Sequence, residues 1–157
     1  MRRMALVGLV VLALAACPNG AEPVHRAAAN RIVIRIQTGG GTIELENLEV
    51  ARTSEARSQG LMGRTSLPQD GGMAFLFEEQ TLAAFWMKDT LIPLSILFWR
   101  DDGQIIDILD MRPCRDDPCP VYRASGPYLG AIEMKLGAFE RLGVEVGDTL
   151  EHRLLSE

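Results

Sequence analysis

The sequence predicts an α+β fold, rich in strand, with a curved mixed or antiparallel sheet tending toward a barrel and two short helices. Three observations carry this. Short β-branched and apolar runs recur at close spacing, bounded by glycines. Only two segments have helix boundaries. One run, Leu94–Trp99, is apolar on both faces, as a central covered strand would be.

Arg31-Ile-Val-Ile-Arg-Ile36 opens the folded part as a strand, and Gly39-Gly40-Gly41 breaks it. Thr42 to Ala51 pairs back. Thr53 then offers an N-cap, Glu55 stands in the first turn, and Gly63 is expected as the C-terminal cap of a short helix. Gly71-Gly72 starts a strand over Met73–Phe77, and Thr81–Met87 is expected as the next. Leu94–Trp99 follows, then the Asp102-Gly103 hairpin signal, which returns Gln104–Met111 antiparallel. Tyr128–Lys135 is a further strand. Gly137–Leu142 forms a second helix stopped by Gly143, and Thr149–Leu154 is the last strand.

The N-terminus has its own logic. Arg2 and Arg3 precede a short apolar run, Met4–Leu14, and Leu14-Ala15-Ala16-Cys17 matches a lipobox. Residues 1–16 are thus expected to be a cleaved signal peptide. Cys17 is the expected site of lipidation, followed by a tether over 17–30 and a single globular domain over 31–157. The run is too short for a mature spanning helix, whereas several acyl chains on one residue anchor stably. The implied location is the bacterial envelope, facing the periplasm. Pro18, not Asp, after Cys17 leans toward the outer membrane.

The 157 residues carry 16 basic and 21 acidic side chains, a net charge of −5. Losing the leader removes Arg2 and Arg3 and leaves 14 against 21, or −7. Such a surface argues against a nucleic-acid partner. The expected contacts are the membrane, through the lipid, and a small ligand or envelope component. In an oxidising compartment Cys114 and Cys119 are expected to form a local disulfide. Their spacing fits neither a zinc site nor a Cys-x-x-Cys redox pair.

Catalytic constellations are sparse. His25 lies in the tether and His152 near the end, so no base stands ready for a Ser or Cys nucleophile. The glycine run leads into a strand and not a phosphate-binding helix. Met62, Met73, Met87 and Met134 show no Met-x-x-Met clustering and read as core filler, so neither metal nor cofactor is expected. What remains is a polar set at element ends: Arg64, Lys88, Asp89, Thr90 and Glu133, with Trp86 beside it. Glu133 interrupts an apolar strand, where a charge normally needs a partner, and Arg64 or Lys88 would supply one. Two readings are open, a structural ion-pair network and a ligand site walled by aromatic rings.

Gly60-Leu-Met-Gly-Arg64, Gly72-Met-Ala-Phe-Leu-Phe77, Phe85-Trp-Met-Lys-Asp-Thr90, Ile92-Pro-Leu-Ser-Ile96, Glu133-Met-Lys-Leu-Gly137 and Gly147-Asp148 occur in that order. Together these blocks resemble the family known as domain of unknown function 192. The resemblance covers about Leu45 to Leu150, and implies a small mixed-sheet fold with frequent export but no established activity. Asp89 stands where the family usually has Asn, and Ser95 where it usually has Asp. The expected function is an envelope-anchored binding or accessory module for a glycan- or peptide-like ligand. The alternative is an envelope glycan hydrolase with Asp89 and Glu133 as its acid–base pair.

Overall fold

The computed structural model describes residues 31–155. The expected signal peptide, the lipidated Cys17 and the tether lie outside the described residues. Among the described residues no helix is long and apolar enough to cross a membrane.

Nine strands and two helices follow one another as β1 (Arg31–Thr38), β2 (Gly41–Ala51), α1 (Ser54–Gln59), β3 (Gly71–Thr81), β4 (Phe85–Trp86), β5 (Leu94–Trp99), β6 (Ile105–Met111), β7 (Val121–Tyr122), β8 (Tyr128–Lys135), α2 (Ala138–Leu142) and β9 (Thr149–Leu155). Seven strands form one mixed sheet in the order β6-β5-β8-β3-β2-β1-β9, and β4 pairs with β7 in a second, two-stranded sheet. Only β2 and β3 run parallel in the large sheet, which requires a crossover, and α1 provides it.

The sheet stays open. Its two edge strands meet at one end only, where Gln104 bridges Thr149 and the Leu150 N–H donates to Gly103 O. The expected closure toward a barrel therefore stops at a single corner.

Each face of the sheet has a covered core, because alternate side chains of the central strands point to opposite sides. On one face Ile32, Ile34 and Ile36 of β1 pack with Leu97, Trp99, Ile132 and Met134, and α2 covers them with Ala138 and Phe139. A Cβ on Gly130 would stand 2.2 Å from the Trp99 ring, so the indole can lie flat on β8 only where no side chain exists. On the other face Met73, Phe75, Leu94, Ile96, Phe98 and Ala131 pack under Leu61, Leu67 and Met87 from the connections. Leu94–Trp99 is buried at every position, as its two-sided apolarity predicted.

Two sequence expectations need correction, and one strand was missed. Thr81–Met87 is not a buried strand of the main sheet; only Phe85–Trp86 is extended, and it pairs with Val121–Tyr122. The reason is a split in character: Phe85 packs edge-on against Phe75 and Phe98, while Leu82 and Trp86 face solvent. Helix α1 ends at Gly60, three residues before the expected Gly63, although Thr53 caps its start as expected by accepting from the Ala56 N–H at 3.1 Å. Strand β7 was not foreseen, since two residues leave no periodicity.

Candidate functional site

Glu133 reaches its position through β8. Its register partners are Met73 on β3 and Ile96 on β5, so its side chain emerges on the face covered by α1 and not the face covered by α2. The strands close tightly there, because a Cβ on Gly72 would meet Glu133 O at 2.0 Å. Glycine at 72 thus fixes the distance between β3 and the strand that carries the carboxyl.

Above that point lies a cleft of about 360 Å³. Phe75, Leu61, Thr90 and Glu133 form its buried floor. Phe77, Phe85 and the exposed Trp86 also line the cleft, together with Arg57, Ser58 and Gln59 of α1. Size and aromatic character both suit a small ligand.

Glu133 is 5% exposed, yet among the described residues its carboxyl makes no hydrogen bond and no ion pair. No side-chain oxygen in the described residues is both fully buried and unpartnered, so the carboxyl oxygens look into the cleft. Loss of hydration pushes its pKa up to about 8, with no neighbouring charge to offset it. At neutral pH the group is an acid that can donate a proton or a hydrogen bond. Arg57, which also lines the cleft, lies over the Phe77 ring at 4.7 Å, and its Nη1 donates to the carbonyls of Arg52 and Leu76. Burial likewise pushes the Tyr128 phenol up to about 12, and its hydroxyl donates to Ala83 O at 2.9 Å, tying the cleft's outer strand segment to β8.

The residues singled out from sequence divide into two groups. Trp86, Thr90 and Glu133 line the cleft. Arg64, Lys88 and Asp89 do not. Arg64 makes a two-oxygen contact with Glu49 at 2.7 Å, and Lys88 reaches Asp117 at 3.5 Å while lying 6.0 Å from the Trp86 ring. The expected pairing of Glu133 with Arg64 or Lys88 is therefore not made, because both cations find exposed acids first. Asp89 serves geometry: it sits at φ 54°, and its carbonyl accepts from the Gly63 N–H at 2.9 Å. A left-handed turn residue is well served by Asp or Asn, whose side chains tolerate that region.

Ser95 is likewise resolved by geometry. It is buried on the α2 face, donates to Asp110 Oδ1 at 2.6 Å and accepts from the Gly137 N–H at 2.9 Å. The position with serine in place of the family's acid therefore faces away from Glu133. Cys114 and Cys119 are joined in a disulfide, whose loop is held to the β4 end by the Cys114 N–H donating to Met87 O.

Sequence reasoning missed Arg57, Ser58 and Gln59, which line the cleft from α1. It also missed that Phe75 and Phe77 share a face with Glu133, although alternation along β3 carried that signal.

Comparison with known proteins agrees with this architecture. Residues 34–152 match the DUF192 family model, described as an uncharacterised ACR. A crystal structure of a "putative transcription regulator" from Sinorhizobium meliloti 1021 is 34% identical with a TM-score of 0.72, covering 80% of this chain and 95% of that one. A protein of unknown function from Novosphingobium aromaticivorans is 33% identical with a TM-score of 0.71, covering 92% and 99% respectively. No curated protein matches the chain. Block order, fold and matched span together establish that the chain belongs to the DUF192 family.

Proposed function

We propose that the protein is a lipid-anchored binding or accessory module of the bacterial envelope, whose cleft takes a small glycan- or peptide-like ligand. One observation carries the reading: a nine-tenths buried carboxyl, Glu133, lies without a partner among the described residues at the floor of an aromatic cleft. A buried polar group left unmatched costs stability, so its persistence is best explained by a partner that arrives from outside. Trp86 at the mouth adds an exposed aromatic face suited to a sugar ring or an apolar side chain.

The hydrolase alternative is weaker. Glycosidases use two carboxyl groups flanking the scissile bond. Among the described residues Glu133 is the only acid lining the cleft, and Asp89 is committed to the turn above it. Transcriptional regulation, as described for the Sinorhizobium meliloti relative, gains no support from a net charge of −5.

A thermal-shift screen of the full-length protein in detergent, with glycan fragments and short peptides, tests the binding reading. A ligand that raises Tm for wild type but not for Trp86→Ala supports it. Absence of any stabilising ligand in either class counts against it. Anchoring is tested separately: in a bacterium that processes lipoproteins, Cys17→Ser should move the protein from the detergent phase to the aqueous phase, and equal partitioning would remove the lipid from the account.

A further inference from the structure

We infer that the cleft is selective for ligands bearing both a free ammonium group and a carboxylate, as short peptides do, with the ammonium against Glu133 and the carboxylate against Arg57. The inference rests on the binding reading above and names its ligand class. Among the described residues, Glu133 and Arg57 are the only acid and the only base lining the cleft. Neither neutralises the other: Glu133 forms no ion pair, and Arg57 spends Nη1 on two backbone carbonyls. Its Nη2 and Nε keep unused donors among the described residues, in a guanidinium already oriented by Phe77. A ligand with a carboxylate alone brings Glu133 no counter-charge, and one with an ammonium alone leaves the free donors of Arg57 unanswered. A dipolar ligand answers both, and Phe75, Phe77 and Phe85 give its apolar body a place between them. The volume of about 360 Å³ accommodates a molecule of dipeptide size.

The charged groups around Glu133 are few. Strands β3 and β5 present Met73 and Ile96 opposite it. On its own strand, Tyr128 is held by Ala83 O; α1 contributes Arg57; Lys88 and Arg64 are paired with Asp117 and Glu49; and Asp89 lies in the turn outside the cleft. Among the described residues none of these groups pairs with Glu133, so an arriving ammonium would supply it a counter-charge. It would draw the carboxyl from its raised pKa of about 8 to the ionised form, releasing a proton. Affinity should then rise with pH up to about 8, by at most tenfold per pH unit. Above that the peptide's own α-ammonium, with a pKa of about 7.7–8.0, begins to deprotonate.

The test is calorimetry on the full-length protein in detergent between pH 6 and 8, in two buffers of different ionisation enthalpy. The probes are leucyl-alanine, its N-acetyl derivative, leucyl-alanine amide and N,N′-diacetylchitobiose. Leucyl-alanine is expected to bind at pH 7 with release of about one proton, and the acetylated and amidated forms at least tenfold more weakly. Glu133→Gln should abolish both the proton release and the preference for a free amine without lowering Tm. Arg57→Gln should erase the preference for the free carboxylate. Equal binding of the acetylated peptide, or uptake of protons, overturns the inference. If chitobiose binds through Trp86 while the dipeptide does not, the inference falls and the binding reading stands. If no probe binds, both fall.

Discussion

The two faces of the sheet treat a buried polar residue in opposite ways. On the α2 face, Ser95 is 1% exposed and fully answered, by Asp110 and by the backbone at the start of α2. On the cleft face, Glu133 is nearly as buried and answered by nothing among the described residues. Both positions lie on central strands and next to similar apolar neighbours, so the sheet itself does not account for the difference. What differs is the cover: α2 packs Ala138 and Phe139 onto its face, whereas α1 buries none of its residues and leaves a cleft. One face is finished by the protein. The other, on the proposed reading, is left for a ligand to finish.

Substitutions can break or sharpen this contrast. The largest effect belongs to the finished face. Trp99→Ala removes an indole that is 2% exposed and packed on Gly130, and should cost about 3–5 kcal/mol in a denaturant melt. A loss below about 1 kcal/mol would mean that this face is not the main source of stability. Next comes Glu133→Gln, with the opposite sign. The native carboxyl keeps its proton up to about pH 8, whereas the unfolded one releases it near the ordinary 4.5. The native state therefore holds more protons across that window, and wild-type stability should fall as pH rises through it, by about 3 kcal/mol at pH 7. The glutamine variant should lack this slope; a parallel pH profile would show that Glu133 is not buried neutral. Ser95→Ala should cost about 1–3 kcal/mol at any pH from 5 to 8, because it strands the Gly137 N–H. A neutral result would remove the polar half of the contrast. Trp86→Ala is expected to change stability least, by under about 1 kcal/mol, since the ring is 49% exposed. It should still weaken ligand binding at least tenfold, and a variant that melts early without losing affinity would place the ring in the structure and not in the site.

Much of this architecture was legible in the chain. Strand runs with turn signals at both ends, such as Leu94–Trp99 and Tyr128–Lys135, appear where alternation and the Asp102-Gly103 turn put them. Boundaries that depend on a tertiary neighbour were not legible. Phe85–Trp86 reads as part of a longer strand until Phe85 finds its partners on Phe75 and Phe98. For the site, the chain announced Glu133 as an anomaly but not how it is resolved. Sequence carries no distance, so Arg64 and Lys88 looked available until Glu49 and Asp117 were placed beside them. Arg57 was hidden by its ordinary setting, a cation in the last turn of a capped helix.

The crossover between β2 and β3 has a kinetic side. Helix α1 has only six residues, none buried, and it is the segment through which the cleft's polar wall is built. Its amide bonds can open without parting any pair of the seven-stranded sheet, whereas opening β3 or β8 breaks the ladders on both sides of each. Hydrogen exchange should accordingly run in two regimes, with α1 exchanging through local openings and β3, β5 and β8 only through global unfolding. An occupant bridging Arg57 and Glu133 would couple the two regimes, slowing exchange in α1 toward the rate of the sheet. The wall of the cleft would then report occupancy, amide by amide.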